Sequence, residues 1–251
     1  MAQFPVTFNL QPRLFAFLAA GFILATIVGT VSHELGHYLP AKYYGFNAKF
    51  SYAMVSYGEN PEQDKMAKFY EDHKAQIMSP EASPEKAKFN DWMKAEQNKY
   101  FNTTLGGPLQ TMLTGSAAFI ILYLRRRKLI IDQSVTFSGW VLVLLSFFWS
   151  RQLANLILWV GDYLITGNIS NRGDEIKMSR YILSLQHESA IVSLGLVGFL
   201  TGIAAAAILT YIVFGIIPKH QRFTFLSAGV FGSMAGAVIW FGWLGPAILP
   251  A

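Results

Sequence analysis

Residues Leu14 to Pro40 read LFAFLAAGFILATIVGTVSHELGHYLP, and they set an uncharged apolar run of 19 residues, Leu14 to Ser32, directly against His33, Glu34 and His37. About 20 helical residues cross a hydrocarbon core, so the run predicts a spanning helix with ionisable groups at membrane depth. Such groups are expensive in lipid and mark functional positions. On a continuous helix His33 and His37 stand at i and i+4 on one face, where both imidazoles reach a single ion. Glu34 lies about 100° round the helix, placed to take a proton from metal-bound water. The plainer reading, a hydrogen-bonded histidine in a chance HExxH, leaves three ionisable groups in five residues uncompensated.

Composition points the same way. The chain of 251 residues is 53% hydrophobic and only 14% charged, too few charges for an ordinary soluble domain of this length. An integral, multi-pass membrane protein follows, of the inner or plasma membrane type, with the bilayer as its surroundings. Cysteine is absent, which excludes disulfides, thiolate metal sites and a cysteine nucleophile. A metal here is held by histidine and carboxylate. The first run carries the HELGH segment and is too long for a signal-peptide core, so it reads as a permanent helix.

Five long apolar segments run from about 14 to 39, 104 to 124, 135 to 163, 189 to 217 and 223 to 248. The expected fold is an all-α polytopic membrane protein of about five transmembrane helices, a single domain over 1–251. Arg151 interrupts the third segment and Asp162 ends it, which predicts a tilted, broken or cavity-lining helix. Gly198 with Gly202 and Gly232 with Gly236 have the spacing of close helix contacts. Arg13, the run Arg125 to Lys128, and Lys219 with Arg222 fall on one side under five crossings. By the positive-inside rule that side is cytoplasmic, which puts the HELGH end nearer the outer face.

Residues 42–103 form the one sizeable polar insertion, between the first two spans. Nine lysines balance nine acidic residues there, so it carries no charge to attract nucleic acid. Alternation over Phe46 to Tyr57 predicts a short sheet or hairpin. Asn60 and Ser83, each followed by proline, read as caps of two helices. The stripes Met66, Phe69, Tyr70, His73, Ile77 and Phe89, Trp92, Met93, Tyr100 predict a helical hairpin over the membrane face, with His73 packing and not ligating.

Gly106, Gly107 and Pro108 predict a non-helical entry into the second span, or simple punctuation of its start. Two histidines leave a catalytic zinc one protein ligand short. His187 and His220 suit by chemistry but not by place. Asp174, after an Asn-Arg-Gly turn, is the preferred third ligand, with Glu175 and Asp162 as alternatives. Arg151 and Asn155 are candidates to hold substrate backbone or a developing oxyanion, against a plainer reading as polar contacts between helices. Phe50 and Tyr52 are substrate-binding candidates on a strand edge that an extended segment joins by strand addition.

Together His33, Glu34 and His37, then Gly107 and Pro108, then Asp174 resemble the site-2 protease family of intramembrane metalloproteases, the M50 type, over roughly residues 14–180. The resemblance implies Zn2+ as cofactor, a membrane-protein or peptide substrate, and Glu34 as general base. Two departures stand out. The third segment has no proline, and Glu175 follows Asp174 where the family has glycine. No PDZ-like or CBS-like regulatory domain fits into the length. A non-catalytic scaffold and a transporter are the rival classes; the latter lacks a visible inverted repeat. A His-rich di-iron desaturase is disfavoured by the total of five histidines.

Overall fold

A computed structural model of the protein describes residues 7–58, 61–168, 173–183 and 195–250. Helix α1 (Pro12–Tyr43) begins on Pro12, whose missing N–H is no loss in a first turn, and runs through HELGH to Tyr43 unbroken. Strands β1 (Ala48–Phe50) and β2 (Val55–Tyr57) pair antiparallel, Phe50 opposite Val55. The alternating stretch is therefore a hairpin, reversed at Ser51, whose hydroxyl donates to the Met54 carbonyl at 2.9 Å.

Helices α2 (Pro61–Asp72) and α3 (Lys74–Met78) follow, with α2 against the first turns of α4 (Pro84–Leu129). Phe69 meets Trp92 and Tyr70 meets Phe89, at ring centroid distances of 6.3 and 5.4 Å. That contact makes the expected helical hairpin. His73 packs against the Phe69 ring at 4.5 Å. The Ser83 hydroxyl accepts from the Lys86 N–H and caps α4 as expected; the Asn60 cap lies outside the described residues.

The second span departs from expectation. Gly106, Gly107 and Pro108 lie inside α4, a single helix of 46 residues that joins the insertion to the membrane segment without a turn. The Pro108 ring deprives the Thr104 carbonyl of its i+4 donor, yet the helix continues. The glycines serve approach instead of entry. A Cβ on Gly106 would fall 1.9 Å from the Gly36 carbonyl oxygen, and one on Gly36 would fall 2.5 Å from the Gly106 oxygen. Backbone therefore meets backbone between α1 and α4, which only glycine allows.

The third span is broken, as Arg151 suggested. Helix α5 (Phe137–Ser146) passes through a 3-10 turn, Phe147–Trp149, into α6 (Ser150–Thr166). Helix α7 (Asp174–Leu183) is short; α8 (Leu196–Tyr211) and α9 (Arg222–Ile239) each continue into a π-helical turn. Gly198 and Gly202 receive Trp159 and Leu156 of α6, while Gly232 and Gly236 lie against the α1 backbone. Five helical spans among the described residues are long and apolar enough to cross a membrane. Their outward faces carry exposed Leu24, Val28, Leu164, Ile165 and Val230, a surface suited to lipid.

Leu18, Phe22, Leu122, Trp140, Val143, Ile212 and Phe225 form the main core. The Phe225 ring touches Phe22, Phe147 and Trp140 at 5.0 to 5.7 Å. This core occupies the end of the bundle where the chain enters. There Gln11 bonds to Thr224 and His220, and Gln221 to Ser134. The basic clusters thus share one end. At the other end, the Tyr52 N–H donates to Leu249 O at 3.1 Å and the Trp240 indole to Tyr52 O at 2.9 Å. Those bonds hold the β-hairpin against the last helical turns.

Adding a methyl at the α1–α4 crossing forces the helices apart, an overpacking cost of about 1–3 kcal/mol. Gly106→Ala should therefore lower the thermal unfolding midpoint in detergent. Gly161→Ala, whose added Cβ meets nothing within 4 Å, should hold or slightly raise it.

Candidate metal centre

The close approach of α1 and α4 brings HELGH against one face of α4, along which Thr103, Gly107, Thr111 and Gly115 recur every fourth residue and are buried. His33 and His37 are buried as well. The His37 Nδ1 lies 2.8 Å from the Thr103 carbonyl oxygen. A carbonyl only accepts, so Nδ1 carries the proton and Nε2 keeps its lone pair. His33 Nδ1 lies 2.8 Å from the Thr111 hydroxyl, which itself donates to Gly107 O at 3.1 Å. The hydroxyl oxygen then accepts from His33 Nδ1–H, and His33 Nε2 is likewise free to ligate.

Both lone pairs point at the same place. His33 Nε2 and His37 Nε2 are 3.2 Å apart, and Asp174 Oδ2 stands 3.2 and 3.1 Å from them. Three acceptor atoms this close, with their protons directed elsewhere, repel one another unless a cation lies among them. Ligands at about 2.0–2.1 Å in a tetrahedron stand about 3.3 Å apart, close to these spacings. His33, His37 and Asp174 could therefore hold a metal ion. The hydrogen bonds on the two Nδ1 atoms are the outer contacts that fix ring orientation and raise ligand basicity. Gly107 makes room: a Cβ there would fall 2.2 Å from His37 Nε2 and 2.8 Å from His33 Nε2.

Asp174 reaches the histidines from the first turn of α7. Gly173 precedes it at φ +125°, a conformation that favours glycine. Asn171 and Arg172 of the expected turn lie outside the described residues, as does His187. α7 is docked on α4 by Phe101 stacked on Tyr181 at 4.5 Å and by a hydrogen bond from the Tyr181 hydroxyl to Asn98. The alternatives to Asp174 point elsewhere. Glu175 turns away into the protein, where Asn155 donates to its carboxylate at 3.3 Å. Burial pushes the Glu175 carboxyl up, and the charge of Asp174 adds to the effect. Asp162 is exposed on α6, and His220 is at the opposite end of the bundle.

A cavity of about 620 Å³ opens beside the three ligands, with Glu34, His37 and Asp174 on its wall. Val55 and Tyr57 of the hairpin, Tyr100 and Thr104 of α4, Arg151 of α6 and Lys177 of α7 line the rest. Burial, with the charges of Asp174 and Glu34, pushes the Tyr57 hydroxyl up to about 12. It therefore stays neutral and able to donate.

Of the four candidates for substrate contact, Arg151 lines this wall, while Asn155, Phe50 and Tyr52 lie off it. Asn155 is the interhelical polar contact to Glu175. Phe50 packs on Tyr38 at 5.8 Å, and Tyr52 sits in the hairpin reversal against Phe241 and Gly245. The hairpin contributes Ala53 to Val55 and Tyr57 instead, because the reversal moves every later side chain off the single-strand register. Sequence reasoning also missed Thr103 and Thr111 as partners of the histidines. Their four-residue spacing with Gly107 was the available signal.

Compared with family models, curated proteins and solved structures, the chain matches none.

Thr111→Val removes the acceptor behind His33, and should weaken metal binding about 10–100-fold in competition with a chelator. Gly107→Ala should abolish stoichiometric metal as His37→Ala does, while Asp162→Asn leaves it intact. Metal analysis of the purified variants reads all three.

Proposed function

We propose that the protein is an intramembrane zinc metalloprotease that hydrolyses peptide bonds of membrane-spanning substrates. The convergence of His33, His37 and Asp174 through three acceptor atoms, beside a cavity that exposes Glu34, carries this reading. Two histidines and one carboxylate are a donor set of catalytic zinc sites, which keep a position open for water or substrate. Zinc bound there would polarise a carbonyl and lower the pKa of a bound water.

The chain's own residues supply the rest. Glu34 follows the ligand His33 and faces the cavity without a hydrogen-bond partner among the described residues. Its carboxylate is free to accept a proton from attacking water and return it to the leaving amine. Thr103 and Thr111 hold the imidazoles in the ligating tautomer. The Tyr57 hydroxyl, neutral on the cavity wall, can donate to a substrate carbonyl.

Access is consistent with this chemistry. A helical substrate hides its carbonyls in its own hydrogen bonds, so cleavage needs a locally extended segment. Residues of the short β1–β2 hairpin and of α7 both line the cavity. The five apolar spans and the shared end of the basic clusters support a multi-pass protein with Arg125 to Lys128 on the cytoplasmic side. The site then lies toward the outer half of the membrane.

Glu34→Gln keeps the ligands and removes the base, so the purified variant should retain zinc. Cells carrying it should lose a set of membrane-protein fragments that appear with the wild type in comparative membrane proteomics. Identical fragment sets with zinc present in both proteins would end the protease reading and leave a metal-binding scaffold.

A further inference from the structure

Arg151 stands in the second position of α6, just past the 3-10 break in the third span, and it borders two cavities. One is the cavity of the metal centre. The other, about 230 Å³, is lined by Thr26, Thr30, Ser150 and Ser233 among apolar residues. The guanidinium is half-buried, and no hydrogen bond, ion pair or ring contact among the described residues involves it. Glu34 and Glu175 both feel its charge, but neither is hydrogen-bonded to it: Glu34 faces the cavity as the proposed base, and Glu175 accepts from Asn155. A cation partly removed from water and left unpaired is destabilising until an anion meets it.

The carboxylates of the cavity wall have other work: Glu34 is the proposed base. Asp174 belongs to the metal centre, and Lys177 adds a second cation on the wall, 4.0 Å from Asp174 Oδ1. With a divalent ion between neutral imidazoles, positive charge exceeds negative there. An arginine fork matches a carboxylate through two parallel hydrogen bonds, and a neutral amide carbonyl takes them more weakly. Met54, Val55, Phe101 and Met178 supply apolar wall around these charges. From this juxtaposition we infer that Arg151 binds a carboxylate of the substrate beside the metal centre, so that the preferred substrate is an apolar peptide bearing a carboxylate close to the scissile bond.

The carboxylate comes from a free chain end or from an acidic side chain. This inference rests on the metalloprotease reading, and the test keeps the two apart.

The full chain carrying Glu34→Gln, purified in detergent and supplied with zinc, is titrated with three labelled apolar peptides. One has a free carboxyl terminus, one is the same peptide amidated, and one is amidated with a single glutamate near its end. A charge-assisted pair predicts that at least one carboxylate peptide binds about tenfold or more tighter than the neutral amide. Whichever does so names the source. Adding Arg151→Met should reduce the preference to about twofold or less with zinc content unchanged, and Arg151→Lys should restore part of it. Equal binding of all three peptides by zinc-loaded protein, or a preference that survives Arg151→Met, overturns the carboxylate site and leaves the metal centre standing. Protein that takes up no zinc overturns the metal centre and the carboxylate site with it.

Discussion

The close crossing of α1 and α4 at Gly36 and Gly106 is the constraint on which the rest depends. Without side chains between them the two backbones touch, and every functional distance follows from that contact. The next residue of α4, Gly107, leaves the volume in which both imidazole Nε2 atoms sit. Thr103 and Thr111, a turn before and after, meet the two Nδ1 atoms. A wider crossing would break both hydrogen bonds and lose the shared focus of the lone pairs.

The third candidate ligand arrives by a different route. Asp174 begins a short helix, held to the N-terminal half of α4 by Phe101 and Tyr181. Because α4 is one rod from Pro84 to Leu129, the insertion, the α7 dock and the membrane face of the site share a single element. Packing against α6 through Glu175 and Asn155 completes the hold. Asp174 is thereby aimed at the histidines while its neighbour Glu175 is turned inward, although both are acids at the start of the same helix.

Much of this was legible in the residues. The apolar runs, the i and i+4 histidines and the break near Arg151 are consequences of local pattern, since hydrophobic period and charge placement act over a few residues. The GGP segment misled for the same reason. Proline and glycine usually end helices, and only the neighbouring helix reveals that these glycines were needed for contact. The Phe46 to Tyr57 alternation did not give the place at which the hairpin reverses, so Phe50 and Tyr52 were assigned to a face that Val55 and Tyr57 occupy.

The sequence by itself determined the helical spans, the cysteine-free donor chemistry and the pair of ligands one turn apart, because those depend on residue type and helical period alone. Tertiary structure decided which acid joins them, which face of the hairpin meets the cavity, and that Arg151 stands beside the site with no hydrogen-bonded partner among the described residues. Those properties arise between elements separated by up to 141 residues. No local pattern encodes a distance that only the packing of α1, α4, α6 and α7 sets.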